Sequence, residues 1–465
     1  MKRSSLIALP AACFAAAVLF QGACSDPCCL IDGNPVTLIS PGGMTSQGLR
    51  ALWSDDRSVP HPTSATYPTL AIDTGAALTL FARRADERAQ MVLRSFDVLD
   101  ATPNSAGNFP TRAQFQNIEG LPVPLPPQGP SLILGGTFLT NFSVSIDFVR
   151  PALTLWARQG ATDGVLNQAG FAVLHFDLLG GAELSAQSRP DFLGLTGPVE
   201  VPPTRVILRA CGGSKPLDVD AAEPELCCKR GDELVNASGV NLALSVNTGI
   251  GPLVLSESAW NRFVASQDVA PLAPVAGDDL VIPGLLAPIK GVQWAEISRL
   301  AIVDTETDAA NNPGACVELR RARRLMWVEN HRDQAACAQL CDTDPRNNRL
   351  SQNAASFLEI SRTIPVAIIP DATDYLQALR AEVRPEGPEV DGLLGADVLG
   401  ETSVELDFRS HPSRSIWSCA PGSASSCTAS PRCLRLENAG NEHACFGLSS
   451  RALPAKCAAS GCGVP

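Results

Sequence analysis

Histidine is scarce in this chain of 465 residues: five are scattered at positions 61, 175, 331, 411 and 443. Structural zinc draws on tight paired clusters of Cys and His, so no metal centre is expected, and Cys337-x-x-x-Cys341 reads as disulfide material. Basic clusters are missing too. With 36 Lys and Arg against 48 Asp and Glu the net charge is -12, and no cationic run is long enough to follow a phosphate backbone. Nucleic acid is therefore not an expected partner. There is no Gly-x-Ser-x-Gly elbow, no His-Glu-x-x-His and no glycine-rich phosphate loop followed by Lys-Ser or Lys-Thr. The common motif-bearing hydrolases and nucleotide enzymes drop out, and no cofactor is implied. Beyond the N-terminus no apolar segment approaches the ~20 residues that span a bilayer.

What is present begins with Met1-Lys2-Arg3, an apolar run from Leu6 to Phe20, and Gln21-Gly22-Ala23-Cys24. Residues 1–24 have the charge, length and small-residue exit of a secretory signal. Gly22-Ala23-Cys24 matches the end of a bacterial lipobox, which makes Cys24 a lipidation candidate. Gln21 departs from the usual Leu, so lipid anchoring and plain secretion both stay open. The expected location is outside the cytosol: periplasmic, outer-membrane-anchored or extracellular, with membrane contact only through an N-terminal lipid. Sixteen cysteines suit an oxidising compartment. Without Cys13 and Cys24 an even fourteen remain, and six of them, from Cys419 to Cys462, crowd a Gly-, Ser- and Ala-rich tail.

The length exceeds what one core usually supports, and the chain repeats itself. Leu132-Ile133-Leu134-Gly135, ending Ile146-Asp147-Phe148, matches Gly392-Leu393-Leu394-Gly395, ending Leu406-Asp407-Phe408. With Gly135 and Gly395 as origins, Leu139 pairs with Leu399, Val144 with Val404 and Asp147 with Asp407 at equal offsets. Each segment follows a turn placed after an apolar strand: Asp73-Thr74-Gly75 in the first half, Asn247-Thr248-Gly249 in the second. Gly135 follows Asp73 by 62 positions. Period-2 patterning prevails, with helices expected over 322–339 and 373–383 and with Pro122 to Pro130 extended but outside any ladder. The expected plan is a first lobe over 35–150, a linker with connecting strands over 151–200, a second lobe over 201–410 with a Cys-containing insertion at 305–350, and a disulfide-rich tail over 411–465.

The hydrophobic-Asp-Thr-Gly-Ala turn together with a later hydrophobic-hydrophobic-Gly resembles the aspartic peptidases. The compact first lobe is similar to retropepsins, and the single-chain duplication is similar to pepsin. The resemblance covers roughly 35–150 and 200–410. It implies a mainly β, two-lobed acid-protease fold built from duplicated barrel lobes, a monomer, and a polypeptide bound in the inter-lobe cleft. In that family two carboxylates share one proton, one acting as base on water while the other donates to the scissile carbonyl. Asp73 matches the first carboxylate, Thr74 would brace the facing loop, and Gly75 permits the tight turn. Thr248 and Gly249 match the same supporting roles in the second lobe.

Asn247 stands where the second carboxylate belongs. An amide neither ionises nor usefully exchanges a proton, and losing one general acid or base costs about 10²- to 10⁴-fold. Two readings follow: an aspartic endopeptidase of reduced or unusual activity, and an inactive pseudopeptidase that binds peptide or protein. A third, in which first lobes of two chains pair their copies of Asp73, conflicts with a second lobe already filling that face. Asp147, Asp397 and Asp407 are expected to be structural, and the turn Asn104-Ser105-Ala106-Gly107-Asn108 is a candidate flap.

Overall fold

The computed structural model describes residues 36–38, 48–54, 68–88, 90–107, 109–125, 129–156, 171–184, 199–213, 239–266, 274–282, 288–304, 314–330, 355–383, 388–408, 413–420, 423, 426–430, 433–435 and 443–445. The signal, Cys24, most of the tail and all of the insertion except 314–330 lie outside them. The described chain is mainly β and two-lobed.

In the first half, Leu132–Leu134 is a wholly apolar, wholly buried strand, as expected for one covered on both faces. It runs parallel to Thr69–Ile72 and antiparallel to Leu80–Ala82. Arg50–Ser54 lies antiparallel to Thr69–Ile72, and Leu80–Ala82 lies parallel to Thr111–Val123. With Val92–Leu99 these strands close a barrel, which leaves no exposed edge. Its core is aromatic: the ring centroids of Phe96 and Phe115 are 5.4 Å apart, and those of Phe115 and Phe138 4.9 Å.

The second half repeats those pairings strand for strand. Gly392–Gly395 runs parallel to Val240–Asn247 and antiparallel to Leu253–Ser256. Arg205–Gly213 is antiparallel to Val240–Asn247, and Leu253–Ser256 is parallel to Ile364–Ile369. Here the strands do not close; they continue into an eleven-stranded sheet.

A third, six-stranded sheet joins the halves, in the order Val36–Thr37, Ala152–Trp156, Ser143–Asp147, Thr402–Asp407, Arg414–Cys419, Phe171–His175. Its two central strands are the ends of the repeated segments. They pair antiparallel through Val144↔Leu406, Ser145↔Glu405 and Ile146↔Val404. Ser145 and Glu405 are also equivalent in the repeat, so a local pseudo-twofold axis passes between them. Alternate residues of these strands, including Val144, Ile146, Val404 and Leu406, are buried in the shared core.

Three local expectations change. The helix expected over 322–339 starts earlier, at Ala315, after Gly314 at φ +91°, and is described to Asn330. Its first turn is fixed by the Cys211–Cys316 disulfide. The other helix, Asp374–Val383, lies where the apolar spacing put it and buries Leu376, Leu379 and Val383. Pro122 does sit in a ladder, opposite Phe81. A proline has no N–H to give, and its neighbours supply the pairing, Leu121 N–H to the Thr79 carbonyl and Arg83 N–H to that of Val123. For the third, the candidate flap, the described part is Asn104 to Gly107, with Asn108 outside the described residues; the base of this loop is tied to the six-stranded sheet through Ala101 N–H to the Thr37 carbonyl and closed by an Arg112–Asp100 ion pair of 2.7 Å.

Candidate active site

Asp73 ends the strand Thr69–Ile72, where its N–H still donates to the Leu134 carbonyl. The chain then turns, and the carboxylate is held by its own loop: Oδ1 accepts from Gly75 N–H at 2.8 Å and Ala76 N–H at 3.2 Å. Past the turn, Gly136 N–H and Thr137 N–H donate to the carbonyls of Ala76 and Ala77. The second half builds the same corner. Asn247 Oδ1 accepts from Gly249 N–H at 3.0 Å, and Ala396 and Asp397 N–H donate to Ile250 and Gly251.

The two turns meet face to face. Thr74 Oγ1 donates to the Val246 carbonyl at 2.9 Å and accepts from Thr248 N–H at 3.2 Å. Reciprocally, Thr248 Oγ1 donates to the Ile72 carbonyl at 2.8 Å and accepts from Thr74 N–H at 3.2 Å. All four bonds are buried. The approach is close enough to require glycine at both third positions. A Cβ on Gly75 would lie 2.3 Å from Asn247 Cγ, and one on Gly249 would lie 2.4 Å from Asp73 Cγ. Each half therefore lays its first side chain over the other's glycine. Asn247 Nδ2 is buried without a hydrogen-bond partner, so the amide does not bond the Asp73 carboxylate directly.

Asp73 is 1% exposed and Asn247 fully buried. Burial drives the Asp73 pKa up to about 6, against the opposing pull of the Gly75 N–H, of Arg205 and Arg50, and of the Ala76 N–H. The two arginines carried no sequence motif. Arg50 lies in the strand beside Thr69–Ile72, opposite Ala71; burial lowers its pKa to about 10, with Asp73 acting the other way. Arg205 starts the strand beside Val240–Asn247; continuing the register Ile207↔Ser245 by two residues sets it opposite Asn247. Its Nε and Nη2 donate to Glu382 at 3.2 and 3.0 Å, both side chains being buried. Burial works against the Arg205 charge, yet Glu382, then Tyr375 and Asp73, hold its pKa above the usual arginine value. The available signal was an arginine beside a short apolar run, in Leu49-Arg50-Ala51-Leu52 and in Arg205-Val206-Ile207-Leu208.

Of the other aspartates in the repeated segments, Asp147 and Asp407 are engaged elsewhere, whereas Asp397 packs against the second-half turn, where a Cβ on Gly251 would lie 2.3 Å from its Oδ2. Asp407 is buried, accepts from Ser143 Oγ and faces Arg414 at 3.6 Å. Asp147 caps the N–H groups of Val149 and Arg150. Asp397 lies on the loop after Gly395, its pKa raised by burial against the pull of Arg362.

No protein-family model and no curated protein matches the chain. Among solved structures it is similar to an aspartic proteinase from Irpex lacteus, at 9% identity and a TM-score of 0.31, over 83% of this chain and 97% of that one. At that TM-score the likeness adds nothing to what the strand pairings establish.

Proposed function

We propose that this chain is an exported polypeptide-binding pseudopeptidase: a two-lobed protein that holds an extended chain at the junction of its halves without hydrolysing it. One observation carries the reading. The duplicated corner presents a single carboxylate, Asp73, opposed by an amide at Asn247 whose buried Nδ2 can donate a hydrogen bond but cannot exchange a proton. Water activation by a shared-proton pair needs two carboxyl groups, and the members of such a pair fail together when one is lost. The Cys211–Cys316 and Cys419–Cys427 disulfides fit an oxidising compartment and hence export by the segment 1–24, whether followed by lipid attachment at Cys24 or by plain secretion. A residual aspartic endopeptidase activity is the second reading, favoured by the Asp73 pKa of about 6, which leaves a carboxyl able to exchange protons near neutrality.

The test compares the native chain, Asp73→Ala and Asn247→Asp against a library of unfolded polypeptides at pH 5 and pH 7.5, reading both binding and new chain ends by mass spectrometry. Binding without Asp73-dependent cleavage is expected of the native chain. Cleavage that Asp73→Ala abolishes would establish the second reading instead, and cleavage gained by Asn247→Asp would mark the amide as the block.

A further inference from the structure

The corner around Asp73 holds several hydrogen-bond donors without partners. Three buried nitrogens there have no partner: Asn247 Nδ2, Arg50 Nη1 and Arg205 Nη1. Each belongs to a residue at least nine-tenths buried, with exposures of 0, 9 and 5%. Asp73 Oδ2 bonds none of them, and the other neighbouring acceptors are engaged. Asp73 Oδ1 is taken by Gly75 and Ala76, Asn247 Oδ1 by Gly249, and both Glu382 oxygens by Arg205. Because Glu382 occupies one edge of the planar Arg205 guanidinium, Nη1 is left on the far side of the fork. Buried donors are normally satisfied, and guanidinium groups are the usual protein receptors for carboxylates.

We infer that Arg50, Arg205 and Asn247, beside Asp73, form a receptor for a carboxylate of the bound polypeptide, supplied by its C-terminus or by an acidic side chain. The inference rests on the polypeptide-binding reading above. The incoming group brings two acceptor oxygens to three unpaired donors, and it stands next to Asp73 in the place that Asn247 leaves without a charge. Charge favours the arrangement when Asp73 is protonated. The two guanidinium charges are then balanced by Glu382 and the ligand carboxylate. With Asp73 ionised the ligand would meet a like charge, and a shared proton is the ordinary resolution for two adjacent carboxyls. An amide at position 247 suits this role better than an aspartate, which would add a third negative group.

The experiment measures binding of unstructured peptides carrying an uncharged BODIPY label to the full chain by polarisation at pH 5, below the Asp73 pKa of about 6. Three versions of one sequence are used: free C-terminus without acidic side chains, the same peptide amidated, and an amidated peptide carrying internal Asp and Glu. At least tenfold tighter binding of one carboxylate-bearing version than of the neutral amide is expected, and which version wins identifies the source. Arg50→Gln should remove most of that difference. In the native chain, sodium acetate should compete with the preferred peptide more strongly than sodium chloride at equal ionic strength, a result that does not depend on a variant folding. Equal binding of all three versions would overturn the carboxylate receptor and leave the polypeptide-binding reading standing. No binding of any version would overturn both.

Discussion

Asp73 and Asn247 occupy equivalent corners and make equivalent bonds to their own turns, yet only one of them titrates. Folding raises the Asp73 pKa from 3.8 to about 6, because burial penalises the ionised form. The folded protein therefore binds this proton more tightly than the unfolded chain. Stability from this group is greatest below about pH 4 and falls as pH rises towards 6, by about 3 kcal/mol in total. Asp73→Asn should remove that slope: chemical denaturation at pH 4 and pH 7.5 is expected to show the variant gaining stability relative to the native chain at the higher pH. Asp73 was legible as a candidate because it sits in a recognisable turn. Arg50 and Arg205 were not, because an arginine beside an apolar run has no local signature and its meaning depends on which strand lies alongside.

At the scale of elements, the repeat shows itself as four matching strand pairings in each half. The apolar runs Leu132–Leu134 and Gly392–Gly395 announce buried central strands, and the helix Asp374–Val383 follows its apolar spacing closely. The helix starting at Ala315 was displaced in the sequence reading because its start is set by a covalent tie. Cys316 meets Cys211 on a strand 105 positions away. In the chain-entropy picture, closing so long a loop stabilises by about 5 kcal/mol, against about 2.5 kcal/mol for a short closure such as Cys419–Cys427, at a separation of 8. The paired change Cys211→Ala with Cys316→Ala should therefore cost roughly twice as much unfolding free energy as Cys419→Ala with Cys427→Ala, with the larger rise in m-value as the denatured chain is released.

At the scale of the molecule, the halves are joined twice, by the threonine bonds at the turns and by the six-stranded sheet to which both contribute. The main core runs without interruption from Trp53 and Phe96 in the first half, through Val144 and Leu406, to Leu244 and Ile368 in the second. So continuous a core should unfold as one unit. Calorimetry is expected to give a single transition with calorimetric and van't Hoff enthalpies in agreement. Thr74→Val deletes a buried donor and leaves the Val246 carbonyl and Thr248 N–H unpaired, at a cost of about 1–3 kcal/mol. It should lower that one transition; two separated transitions would show that the halves fold independently.

The sequence by itself determined the duplication, the β character and the pairing of Asp73 with Asn247 as equivalent positions, because strand periodicity, turn chemistry and equal offsets are local properties of the chain. Tertiary structure alone decided that the two turns interlock, that two arginines are buried beside them, and that the first half closes into a barrel while the second opens into a larger sheet. Those outcomes depend on which distant strands become neighbours and on how far burial removes charge from water, and no local pattern carries either quantity.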